Sequence, residues 1–155
     1  MSTTRPKPGA HYQALLQLLR TSETVWNASR RFFARWDISS SQFNVLNVLR
    51  DHREGITQVE LSRLLIMHRS NVTGLIDRLE QRGLVCRKEN TADRRAYRVV
   101  VTAAGRKLLA EVLPAYYQAA EAVWSGFGAR ATTAFVAELA RLEKNVGDFS
   151  ETLDP

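Results

Sequence analysis

Between His11 and Trp36 apolar residues return every three or four positions, as Leu15, Leu18, Leu19, Val25, Trp26, Phe32 and Phe33. That spacing predicts an amphipathic helix of about seven turns. The stretch DISSS interrupts it and offers Ser40 or Ser41 as the N-cap of a second helix, QFNVLNVLRDH. There Phe43, Leu46 and Leu49 fall on one side, with Val45 and Val48 beside them. The following REG predicts a turn.

Next comes ITQVELSRLLIMHRSNVTGLIDRLEQRGLV, the most informative part of the pattern. Thr57 followed by Glu60 is a capping-box spacing, and it opens a short helix carrying Val59, Leu61, Leu64 and Leu65. IMH interrupts. Val72, Leu75, Ile76 and Leu79 then sit at i, i+3, i+4 and i+7, so a second helix buries one stripe and leaves its other face open. Gly83 closes it, with Leu84 available for the apolar contact that accompanies such a cap. Two short helices joined by about three residues predict a helix-turn-helix. The β-rich LVCRKEN and YRVVVT flank the charged, turn-prone TADRRA, which predicts a β-hairpin directly behind it. Together these elements make a winged helix.

From Thr102, an expected N-cap, a long helix runs through Leu108, Leu109, Val112, Tyr116, Val123 and Trp124, with Pro114 expected to bend it. GARATT is expected to break this helix. Phe135, Leu139, Leu142, Val146 and Phe149 then lie on one stripe of a last helix. The first helix and these two carry more apolar surface than one small winged helix can cover. A homodimer interface built from both chain ends accounts for the excess.

Composition narrows the function. The 155 residues suit a single domain, spanning 1–155. No apolar run approaches the roughly 20 residues of a membrane span, so no membrane partner is expected. The opening MSTTRPKPGA lacks the apolar stretch of a secretory signal and reads as a short irregular tail. One cysteine, Cys86, precludes an internal disulfide and points to a cytoplasmic protein. The net charge is +6, unevenly spread: residues 60–107 hold 11 basic and 5 acidic groups, whereas residues 108–155 hold 3 and 7. A polyanion-binding region joined to one that avoids the polyanion fits this asymmetry.

The open face of the second short helix supplies that region's chemistry. It offers Arg69, Ser70, Asn71, Thr73, Gly74, Arg78 and Arg82. Arginine pairs bidentately with guanine, asparagine with adenine, and threonine can bond a base or meet a thymine methyl. The first turn also directs backbone N–H groups outward, which favours phosphate. Catalysis finds no support, since no phosphate-binding loop, nucleophile elbow or His-Glu zinc motif occurs. His11, His52 and His68 lie in separate segments, so neither a metal nor another cofactor is expected.

Helix order, SQFNVLNVL, NVTGLIDRLEQRGLV and DRRAYRVVVTAAG together resemble the MarR (multiple antibiotic resistance regulator) family of bacterial transcription factors, over about residues 10–150. The resemblance implies a mainly α fold: a winged helix-turn-helix lobe over 40–102, and dimerisation helices over 10–36 and 104–150. It also implies a homodimer on pseudo-palindromic double-stranded DNA, often released by a small molecule. The family's Asp-x-Arg wing motif falls on Asp93, Arg94 and Arg95. By resemblance Arg95 enters the minor groove and Asp93 directs its guanidinium; a long delocalised cation suits the negative potential of a narrow groove. Arg78 matches a base-reading position.

Gly74 departs from the family's larger, often basic residue, so no known operator carries over, and it costs about 1 kcal/mol of helix stability relative to Ala. Peroxide-sensing members hold their reactive cysteine in the first helix. Cys86 falls instead in a wing strand, where an inert thiol is expected. The family's effector pocket would draw on Trp26, Arg30, Phe33, Trp36, Phe43 and Tyr116, an aromatic wall and one cation suited to a planar, weakly acidic aromatic ligand. Ordinary interface packing explains the same residues. The reading that follows is a DNA-binding regulator, a repressor by expectation. Its alternatives are a protein-interaction winged helix and a nonspecific architectural DNA binder.

Overall fold

The structure, a computed structural model, describes residues 9–65, 69–89 and 97–153, with Arg69 and Ser70 described by backbone alone. Along the described residues run α1 (Ala10–Phe33), a 3-10 turn (Ala34–Trp36), α2 (Ser40–Arg50), β1 (Ile56–Thr57), α3 (Gln58–Leu64) and α4 (Arg69–Gln81). The strands β2 (Val85–Glu89) and β3 (Tyr97–Val101) follow, then α5 (Ala103–Val123) and α6 (Ala129–Glu151). The fold is mainly helical, six helices with one small antiparallel sheet in the order β1-β3-β2.

Local chemistry explains most of these boundaries. The N-cap of α2 is Ser39, not Ser40 or Ser41: its hydroxyl accepts from Gln42 N–H, and the Gln42 amide oxygen accepts from Ser39 N–H at 2.8 Å. Gln42 at the third helical position makes Ser39 the residue that can complete the box. Thr57 and Glu60 form the expected box on α3. The α4 terminus is a Schellman turn. Gly83 N–H donates to the Glu80 carbonyl and Leu84 N–H to the Leu79 carbonyl, with Gly83 at φ +67°. Thr102 caps α5 as expected, accepting from Gly105 N–H while donating to the Gly83 carbonyl.

The strand β1 was absent from the hydrophobic pattern. Its two residues pair with β3, Ile56 opposite Val99 and Thr57 opposite Arg98. Gly55 makes that approach feasible, because at φ +73° a Cβ would come within 2.6 Å of the Val99 carbonyl oxygen. The expected break after α5 is present but falls at residues 124–128, and ARATT belongs to α6, which begins at Ala129. Thr132 and Thr133 hydroxyls bond the carbonyls four residues back and are absorbed into the first turn.

The chain divides into two compact units, one ending at Val112 and the other beginning at Leu113, beside Pro114 within α5. The first unit holds the core. Phe43, Leu46 and Leu49 of α2 bury with Leu61, Val72, Ile76, Leu79, Val85 and Val99. On α3 only Leu61 is buried, joined by Leu65 just beyond it; Val59 and Leu64 face solvent, narrowing the predicted stripe. In the second unit Trp124 meets Phe127 and Phe135 edge-on at 5.3 and 5.6 Å. No residue of α6 is buried. Its stripe of Phe135, Leu142, Val146 and Phe149 lies open, as do Tyr12, Leu15, Leu19 and Trp26 on α1.

Candidate nucleic-acid interface

The stripe Val72, Leu75, Ile76 and Leu79 is buried as its spacing predicts. The same rotation therefore leaves Asn71, Thr73 and Arg78 exposed on the opposite side of α4, with Gly74 half-buried between them. Arg78 reaches back one turn: a Cβ added to Gly74 would lie 3.8 Å from Arg78 Nη1, an ordinary contact. Gly74 is thus not required by crowding. The backbones of Arg69 and Ser70 form the start of α4. Asp93, Arg94 and Arg95 lie outside the described residues.

Several polar residues that local pattern did not single out hold this face in place. Arg87 on β2 reaches behind α4, donating through Nη2 to Asp77 Oδ1 at 2.5 Å and through Nη1 to Glu80. Its backbone N–H donates to Glu80 Oε1 at 2.9 Å. The Asp77 hydrogen bond, and after it Glu80, outweigh partial burial and push the Arg87 guanidinium pKa above its ordinary value. This cation is therefore structural, a strut between hairpin and helix.

At the other flank Gln58 at the start of α3 donates to the Thr73 hydroxyl. That bond fills one acceptor position on Thr73 and leaves its own O–H free to donate. Arg82, past the end of α4, is turned away from the open face. It donates to the Asp37 carbonyl and lies 3.4 Å from the Asp37 carboxylate. Asp37 sits at φ +52° after the 3-10 turn, which aims its carbonyl toward α4. Arg98 on β3 likewise turns inward and donates to the Glu54 and Gly55 carbonyls. Such partners are distant in sequence, so no local spacing announces them.

The residues expected around an aromatic ligand are placed unequally. Phe33 and Phe43 are 2% and 1% exposed and stack at 4.5 Å, so both rings belong to the core. Trp36 is half-buried, tilted against Phe32 at 5.2 Å, with the Arg35 guanidinium over both rings. Trp26 and Arg30 are exposed, and Arg30 lines a hollow of about 580 Å³ with Asn27, Arg31 and Ala34. Tyr116 belongs to the second unit. Cys86 is a half-buried free thiol on β2. Among the described residues no three His, Cys, Asp or Glu gather as metal ligands, and no helix is long and apolar enough to cross a membrane.

A family model described as "MarR family" matches residues 38–97, the segment that contains this face. The "HTH-type transcriptional repressor YetL" of Bacillus subtilis (strain 168) is 26% identical over 142 residues, covering 90% of this chain and 84% of its own length. The "Transcriptional regulator HosA" of Escherichia coli O157:H7 is 35% identical over 86 residues, a match spanning 52% of this chain and 63% of HosA. Among solved structures, Bordetella bronchiseptica BpsR superposes with a TM-score of 0.80 at 25% identity, covering 89% of this chain and 98% of that one. DNA binding by BpsR is regulated by 6-hydroxynicotinic acid.

Proposed function

We propose that the chain is a DNA-binding winged helix-turn-helix transcriptional regulator of the MarR family, a homodimeric repressor acting on a pseudo-palindromic operator. One observation carries the reading most directly. The polar side of α4 that presents Asn71, Thr73 and Arg78 is exposed, yet the helix is braced from behind by Arg87 and from the side by Gln58. A protein-interaction surface would not need base-edge chemistry on a rigid helix, whereas major-groove reading needs both. The assignment of Arg69, Ser70, Gly74 and the wing residues Asp93, Arg94 and Arg95 to the same contact completes the proposal.

Dimerisation follows from the apolar faces left open on α1, α5 and α6, including Leu15, Leu19, Phe135 and Val146. Repression draws on YetL, which is described as a repressor. For an effector we propose a planar, weakly acidic aromatic molecule, consistent with the 6-hydroxynicotinic acid named for BpsR. In the first unit Trp26, Arg30 and Trp36 remain available to it. Such a ligand would favour a dimer whose two α4 helices miss the one-turn spacing of successive major grooves.

The test is a binding titration against operator, scrambled duplex and an acidic polypeptide. A repressor binds the operator at least about 10³-fold more tightly than scrambled DNA at physiological salt. A ratio near one supports the architectural reading, and preference for the polypeptide the protein-interaction reading.

A further inference from the structure

A cavity of about 480 Å³ opens on the first unit where the end of α2, the turn after it, the end of β3 and the first turn of α5 meet. It is lined by Arg50, His52, Arg53 and Arg106 over a floor of Leu49, Val100 and Val101, with no carboxylate in its wall. None of the exposed α4 residues Asn71, Thr73 and Arg78 lines it. Val101 pairs with Val85 at one end of the β2–β3 ladder, and Glu89 with Tyr97 at the other. The cavity is also separate from the hollow beside Arg30 on α1.

The charges here are unevenly answered. Arg50 pairs with Asp51 at 3.1 Å. Arg106 donates to the Val101 carbonyl at 2.6 Å, and Arg98, in the adjoining hollow, donates to the Gly55 carbonyl at 3.1 Å. The carbonyl fixes the direction of the Arg106 guanidinium without neutralising its charge. Among the described residues the Arg53 side chain has no hydrogen-bond or ion-pair partner, nor has the His52 ring. The adjoining hollow, which Arg53 and Arg98 also line, holds the acids Asp51 and Glu54, and Arg98 further interacts with the Glu60 carboxylate. Cations lining one cavity without a carboxylate give it a positive potential that favours an anion.

The floor supplies the second half of the chemistry. Leu49, Val100 and Val101 are buried aliphatic side chains, and the volume lies within the roughly 300–1,000 Å³ of small-molecule sites. We propose that this cavity binds a small organic anion, a carboxylate or phosphate monoester, its charged end held by Arg53 and Arg106 and its apolar body laid on Val100 and Val101. A bare inorganic ion would leave the floor unused. The neutral analogue of the same body would leave the cations unanswered.

The full-length protein is titrated separately with benzoate, phenyl phosphate, benzamide and inorganic phosphate, following the Val100 and Val101 methyl and His52 ring resonances. Saturable shifts with benzoate, phenyl phosphate or both, and none with benzamide, are expected; which of the two binds separates a carboxylate from a phosphate source. Arg53→Gln should weaken binding about 10-fold, the scale of one charge-assisted hydrogen bond, and Arg53→Lys should recover most of it. Arg53 is exposed and bears no structural contact among the described residues, so neither substitution threatens folding. The proposal is overturned by absence of saturable shifts with either organic anion, by unchanged affinity in Arg53→Gln, or by inorganic phosphate binding as tightly as phenyl phosphate. Shifts confined to Trp26 and Trp36 would also overturn it, while leaving the aromatic-effector proposal standing.

Discussion

Arg87 on β2 and Asp77 on α4 are joined by a 2.5 Å hydrogen bond that ties the hairpin to the back of the helix whose front is open. With Asp77 nearly half exposed, the pair is screened, and its net worth is about 1 kcal/mol. Its larger consequence is orientation: the side chain that holds α4 is not one that touches DNA. Arg87→Met should therefore lower stability by about 1 kcal/mol in urea denaturation and weaken operator binding, while the salt slope of binding stays that of the wild type. A reduced slope would instead place Arg87 on phosphate.

The cap of α3 makes acid sensitivity local. Thr57 backbone N–H, then its hydroxyl, donate to Glu60 and hold that carboxyl below its ordinary pKa of 4.5. A depressed pKa means that stability from the ionised form is present above about 4.5 and is lost as pH falls through the lower folded value. Glu60→Gln keeps an acceptor for Thr57 but cannot titrate. Its unfolding free energy should vary less between pH 4.5 and more acidic conditions than that of the wild type.

How far these features were legible depended on whether their partners were near in sequence. The α4 stripe, the Thr57–Glu60 box, the Gly83 terminus and the Thr102 cap each involve residues within about one helical turn, and spacing revealed them. Ser39 was missed because three serines compete and only the Gln42 side chain decides among them. The strand β1 is two residues long and owes its existence to β3, more than forty positions away. Arg87, Gln58 and Asp37 act across elements, so the braces of the interface were invisible while its exposed face was not. The aromatic cluster was legible as composition only. The stacking of Phe33 on Phe43, and hence their place in the core, required the fold.

Gly74 offers a separable test of backbone approach. It lies inside α4 without a positive φ, and a Cβ there meets nothing nearer than 3.8 Å. Gly74→Ala should raise stability by about 1 kcal/mol through helix propensity alone. Because Gly74 belongs to the proposed contact, operator affinity is expected to fall, as measured by fluorescence anisotropy. A substantial loss with intact folding would show that a phosphate or base comes against this position in the complex.

The open stripe on α6 predicts a dimer that a single charge can break. Val146 and Phe149 are 53% and 61% exposed, an arrangement that monomeric proteins seldom leave uncovered over a whole helix. Sedimentation should find a dimer for the wild type and a shift toward monomer for Val146→Glu, with operator affinity lost in parallel. Deleting residues 130–155 should give an aggregating or unfolded chain. A folded, DNA-binding monomer from that deletion would remove the basis for the dimer.

Arg78 and Arg95 should contribute to binding in different currencies. Arg78 stands exposed on α4, where a bidentate guanine contact is worth about 1–3 kcal/mol of discrimination. Arg78→Ala should consequently cost affinity for the operator far more than for scrambled duplex. Arg95, by its place in the Asp-x-Arg motif, is proposed to enter the minor groove, where base patterns are degenerate and groove width carries the information. Arg95→Ala should weaken binding to nearly all duplexes and reduce the salt slope by about one unit per subunit if it neutralises one phosphate equivalent. Asp93→Ala should give a milder form of the same loss, because the arginine remains but is no longer directed. Salt titrations of the three variants against operator and scrambled DNA separate these effects. If Arg95→Ala keeps wild-type affinity on both duplexes, the wing arginine is a solvated surface charge and α4 alone carries recognition.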